Sequence, residues 1–112
     1  MEIAFRNKKL QKLCTQEKEG IRRLGARCAR KLRARLQDLD AADVLGDLRD
    51  VPTTGRLHEL TGDRAGQFAL SLAEPYRLVF EPTDQPPPLR EDGGLDWDRI
   101  TAITIAELVD YH

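Results

Sequence analysis

Two histidines and one arginine carry the chemistry that this sequence offers most directly: His58, His112 and Arg77, the last set in the run Tyr76-Arg77-Leu78-Val79-Phe80. A pair of imidazoles can take a proton from one oxygen and give one to another, while a guanidinium holds the anion between them. That set suffices to cleave RNA without a metal. One group removes the 2′-hydroxyl proton, one protonates the departing 5′-oxygen, and a cation stabilises the added charge of the phosphorane. The alternative for each histidine is a structural or surface role, and for His112 a frayed terminus. The α-carboxylate beside His112 would favour its protonated form. Tyr111 can stack on a base or cover the edge of a core.

Other chemistries find little here. The two cysteines and two histidines stand far apart, without metal-ligand spacing, so neither a metal nor a cofactor is expected. Cys14 and Cys28 fall among leucines at helical spacing, where a thiol acts as a small buried hydrophobe. No glycine-rich phosphate loop occurs, and no serine or cysteine stands in a recognisable nucleophile setting.

The 112 residues have room for one domain, spanning 1–112. No run is apolar enough for a signal peptide or a membrane span, which makes the cytoplasm the expected compartment. A net charge of −1 hides a division. Residues 1–40 hold twelve Lys and Arg against five acids, and residues 41–112 hold six against fourteen. The basic half, with Arg23, Arg27 and Arg30 clustered in it, could face an RNA backbone or could be a solvated helix surface.

These groups need elements to position them. Ile3 and Phe5 alternate in a short strand over 2–5, and Leu10, Leu13 and Cys14 begin a helix that Gly20 interrupts. Ile21, Leu24, Cys28, Leu32, Leu36 and Leu39 then predict one continuous amphipathic helix. Asp40 is placed to cap a further short helix through Leu48. Phe68, Leu70 and Leu72, then Tyr76, Leu78 and Phe80, predict a β-hairpin with an apolar even-numbered face. Residues 82–98, holding four of the six prolines, read as a long excursion outside the core that Trp97 anchors, and 99–109 as a last strand. The order implies an α+β fold with the N-terminal helices on one face of an antiparallel sheet. Arg77 then projects from the opposite face, with an ion pair to Glu81 or Glu59 as the plain alternative. The same parity sets His58 beside Leu60, expected in the core.

Three separated segments resemble the HigB group of RelE-like toxins, within the RelE/ParE superfamily: His58-Glu59-Leu60-Thr61-Gly62-Asp63-Arg64-Ala65-Gly66-Gln67-Phe68, the Tyr76–Phe80 run, and Asp110-Tyr111-His112. The resemblance implies a RelE-like fold with a curved antiparallel sheet and ribosome-dependent cleavage of mRNA leaving a 2′,3′-cyclic phosphate. It also implies a cognate HigA-like helix-turn-helix antitoxin. It gives His58 and His112 the acid–base roles, Arg77 the phosphate, Tyr111 a stacking or orienting role, Asp110 the orientation of a histidine, and Arg64 a place in the Gly-Asp-Arg turn. Relatives often carry Lys where this chain has Thr61. Two alternatives within the superfamily are a ParE-like toxin that binds DNA gyrase and a degenerate relative kept for its antitoxin contact.

Overall fold

A computed structural model describes residues 1–51 and 55–110. Strand β1 (Glu2–Phe5) leads into α1 (Lys8–Thr15), α2 (Glu17–Leu24) and α3 (Ala26–Ala41), followed by a 3₁₀ turn at Leu45–Leu48. Then come β2 (His58–Glu59), a 3₁₀ turn at Gly62–Arg64, the hairpin of β3 (Phe68–Ser71) and β4 (Tyr76–Pro82), a 3₁₀ turn at Trp97–Arg99, and β5 (Ala102–Asp110). The sheet runs β1-β5-β4-β3-β2. The fold is α+β, as the alternation of patterns predicts. Within it β2 to β5 pair antiparallel, and β1 adds a parallel partner to β5.

The helical segment breaks in other places than its apolar stripe suggests. Asn7 caps α1 by accepting the Leu10 N–H at 2.8 Å. Gly20 interrupts nothing: it lies buried inside α2, where a Cβ would come 3.3 Å from the Leu13 carbonyl and 3.5 Å from the Ala29 Cβ. Its small size lets the helices close on one another. The break falls instead at Gly25, whose φ of 85° and ψ of 158° suit glycine alone, so the predicted single helix is two. Ile21, on the far side of that break, is left exposed. Asp40 lies inside α3 and caps nothing there. Asp47 does the capping, its carboxylate accepting the N–H groups of Asp43 and Val44 at 3.1 and 3.2 Å.

Leu32, Leu39 and Leu45 meet Phe68, Leu70, Leu78, Phe80, Ile103 and Ile105, so the even-numbered hairpin face is the core face. Residues beyond Pro82 correct the expectation of an excursion lying outside it. Leu95 and Ile100 are buried in the same core, and Trp97 stands edge-on to Phe68, ring centres 5.0 Å apart at 83°. On the other face Ala69 opposes Val79, Ser71 opposes Arg77, and His58 opposes Ala69. His58 and Leu60 do share a face, but it is this one. Leu60 is half-buried and stands apart from the helix-side core.

Both cysteines are free thiols, Cys28 buried and Cys14 half-buried. Burial pushes the Cys14 thiol up to about 12 and raises that of Cys28 too, so neither is a nucleophile near neutrality. The folded state keeps the Cys14 proton that an unfolded chain begins to release at 9.0, so this contribution to stability is whole below that pH and is lost as pH rises toward about 12. Urea midpoints measured from about pH 7 to about pH 10.5 should fall at the alkaline end, and fall less in Cys14→Ala. Equal slopes for the two proteins would refute the assignment.

Candidate functional site

His58 and Arg77 share the sheet face turned away from the helix-side core. Arg77 and His58 lie two strands apart, about 10 Å across the sheet and about 7 Å along it by strand spacing and rise. A ligand the size of a dinucleotide spans that gap. The imidazole Nδ1 of His58 is 2.8 Å from the Arg56 carbonyl, which can only accept. Nδ1 therefore carries the hydrogen in the neutral ring, and Nε2 is the nitrogen able to take a proton.

Arg56 owes its position to Gly55. The Ser71 N–H donates to the Gly55 carbonyl at 2.6 Å, and a Cβ on Gly55, whose φ is 76°, would sit 2.5 Å from the Ser71 carbonyl. Only glycine allows the chain to run this close to β3. Arg56 itself has a φ of 60°, a conformation uncommon for a residue with a side chain, adjoining the loop that delivers His58.

Around Arg77 lies a cleft of about 400 Å³ lined also by Lys31, Arg35, Arg56 and Glu74. Four cations and one carboxylate line it. Arg35 is partly tied to Asp38 at 3.7 Å. Glu81 accepts from Arg6 at 2.6 Å, and Glu59 accepts from the Trp97 indole at 3.1 Å. Lys31, Arg35 and Arg56 were not singled out by sequence reasoning. The available signal was the i, i+4, i+8 row Arg27, Lys31, Arg35 on α3.

The other expected residues are distributed as follows. Arg64, in the 3₁₀ turn, donates to both carboxylate oxygens of Glu107 at 3.1 Å and to Gln67 at 3.1 Å. Glu107 opposes Val79 across β4 and β5, so this pair reaches over the face where Ala69 and Val79 are fully buried. Thr61 is exposed at the start of the same turn. Arg23 lies on α2, while Arg27 and Arg30 lie on α3, all exposed, so the Gly25 break keeps the three from forming one helix face. Asp110 ends β5 opposite Tyr76, one position from the pairing of Val109 with Arg77. Tyr111 and His112 lie outside the described residues. Among the described residues no group of three or more His, Cys, Asp or Glu stands together as a metal site.

Residues 3–86 match the sequence profile of a family described as the RelE-like toxin of type II toxin–antitoxin system HigB. The chain belongs to the HigB-like toxins. A solved structure, the YoeB/ParE toxin from Agrobacterium tumefaciens, superposes on it with a TM-score of 0.60 over 100% of both chains at 12% identity, a likeness of fold. No curated protein matches the chain in sequence. Membership in a type II system implies an antitoxin partner for this HigB-like toxin. His58, Arg64 and Arg77 fall inside the matched segment, whereas Trp97, Glu107 and Asp110 fall beyond it.

In this HigB-like toxin Gly55→Ala should cost about 1–3 kcal/mol, because it imposes a left-handed backbone on alanine and a clash with β3. Urea unfolding measures the loss, and amide resonances from Arg56 to Glu59 should move with it. An unchanged midpoint would show that the loop does not depend on the close approach.

Proposed function

We propose that this toxin is an mRNA endoribonuclease acting on the ribosome, through side-chain acid–base catalysis and with no cofactor. The observation that carries the reading is the cationic cleft at the border of the sheet that Arg77 shares with Lys31 and Arg35 of α3 and with Arg56, together with the sheet face that Arg77 shares with His58. Family membership supports it, since RelE-like toxins are in general endoribonucleases.

In the proposed reaction the scissile phosphate sits at Arg77. His58 Nε2 removes the proton from the 2′-hydroxyl, whose oxygen attacks the adjacent phosphorus in line with the departing 5′-oxygen. Arg77, with the neighbouring cations, stabilises the phosphorane. His112 gives its proton to the 5′-oxygen, so the products are a 2′,3′-cyclic phosphate and a 5′-hydroxyl, and no water is consumed. Tyr111 stacks on or orients a base and Asp110 orients a histidine. Lys31, Arg35 and Arg56 supply the positive charge that relatives draw from a lysine at the position of Thr61.

Arg64 contacts RNA from the Gly62–Arg64 turn, and Arg23, Arg27 and Arg30 meet ribosomal phosphates, which reward clustered cations and make binding salt-sensitive. With so few catalytic groups, the ribosome contributes by holding the strand in a reactive geometry. The 112 residues work as one domain in the cytoplasm, inhibited by a HigA-like helix-turn-helix antitoxin.

Primer extension on mRNA from cells expressing the toxin is the direct test, with new codon-linked 5′ ends expected. His58→Ala and Arg77→Ala should each lower cleavage about 10²- to 10⁴-fold. Growth arrest with no new 5′ ends would overturn the nuclease reading. Arrest that survives both substitutions and brings DNA damage would replace it with gyrase poisoning, and failure to arrest growth with antitoxin binding intact would indicate a degenerate toxin.

A further inference from the structure

Strand β5 runs further than its neighbour β1. The two pair from Glu2 with Ala102 to Phe5 with Ile105, after which the chain leaves the sheet to begin α1. Residues Ala106 to Asp110 therefore have β4 on one side and no strand of the sheet on the other. Backbone alternation decides which groups face that open side. On β4 the Tyr76 N–H and C=O bond to Ala73 and Leu72, toward β3, so Arg77 and Val79 turn theirs toward β5. Their partners Val109 and Glu107 bond back to β4, which leaves the N–H and C=O of Leu108, between them, directed outward.

That edge opens on a groove of about 350 Å³ between the sheet and the first two helices. Leu10, Leu13 and Leu24 from the helices, with Tyr76 and Leu108 from the sheet, give it an apolar surface, and all but Leu10 are only partly buried against the core. Two carboxylates and two cations stand around it. The carboxylates already have partners: Glu19 accepts from Arg22 at 2.8 Å on both oxygens, and Glu107 accepts from Arg64. Lys9 and Arg23 are exposed and form no salt bridge among the described residues. The groove thus keeps an apolar floor, an open strand edge and a surplus of positive charge.

We propose that the antitoxin docks here, laying an extended segment of alternating apolar and acidic residues along the edge of β5. The segment exchanges both backbone hydrogen bonds with Leu108, as a strand added to a sheet does. Its apolar side chains enter between Leu13, Leu24 and Tyr76, and its carboxylates meet Lys9 and Arg23. A helix in the same groove would leave the outward groups of Leu108 without backbone partners. A second copy of the toxin would set the same cations against each other, which disfavours it. Membership in a type II system supplies the partner, so the proposal does not rest on RNA cleavage. Arg23 is also a proposed ribosome contact, and antitoxin and ribosome would compete for it.

The test is amide hydrogen exchange, read by NMR on ¹⁵N-labelled toxin alone and in complex with the antitoxin co-encoded with it. Exchange at the Leu108 N–H should slow about tenfold or more in the complex, while Glu107 and Val109, already bonded to β4, change little. Lys9→Glu alters an exposed side chain and should weaken the complex about tenfold in low salt, and less as salt is added.

Unchanged exchange at Leu108 within a formed complex would place the antitoxin elsewhere and overturn the proposal. So would failure of the two proteins to bind, or a Lys9→Glu affinity equal to that of the parent at every salt concentration. Slowing at Leu108 in the toxin alone that grows with protein concentration would give the edge to a second copy, and would overturn it too. None of these readouts involves mRNA, so a toxin that takes its antitoxin here and leaves mRNA intact would sink the nuclease reading alone.

Discussion

Strand β4 is buried on both faces, and that constraint orders the rest of the molecule. Leu78 and Phe80 enter the helix-side core while Val79, fully buried between them, faces the other way. A slip of one residue would drive Arg77 under the helices, where an arginine without an anionic partner is costly. Apolar burial on one side thus holds a cation on the other. The neighbours take their register from this strand: Ser71 is set against Arg77 on β3, and Val109 against it on β5. His58 is placed in turn by pairing with Ala69, so the positions of both chemical groups trace back to the packing of Leu78 and Phe80.

The hairpin was legible because large apolar residues recur at period two on both sides of the turn, at Phe68, Leu70 and Leu72 and at Tyr76, Leu78 and Phe80, and each packs on the core side that its parity implied. The last strand was only half legible. Its pairing with β4 shifts between Val79 and Phe80: Phe80 opposes Ile105, but Val79 opposes Glu107, leaving Ala106 as an extra residue. Simple alternation from Ile103 and Ile105 would carry Glu107 into the core. The bulge instead returns it to the opposite face, where it meets Arg64. No residue type announces a bulge of this kind.

Helix boundaries failed for a related reason. Gly20 and Gly25 look alike in sequence, yet one is selected for small volume inside a helix and the other for a backbone angle that ends one. Apolar spacing reports which residues are buried, and it reports nothing about whether the helix carrying them is continuous. For the functional face, the motifs around His58 and Arg77 were visible as residue types. Their basic neighbours were not, because Lys31, Arg35 and Arg56 come from two distant segments that only the tertiary fold brings to one cleft.

The segment carrying Trp97 leaves the sheet and returns to it at a single rung: Pro82 pairs with Ile103, and the Thr83 N–H donates to the Ala102 carbonyl at 2.9 Å. Its neck is closed by the sheet itself and its far end is held by Leu95, Trp97 and Ile100, so the exposed stretch between them can change in length at little cost to the strands that flank it. Insertions in that stretch would remodel one wall beside His58 and leave β4 and the residues packed on it in place.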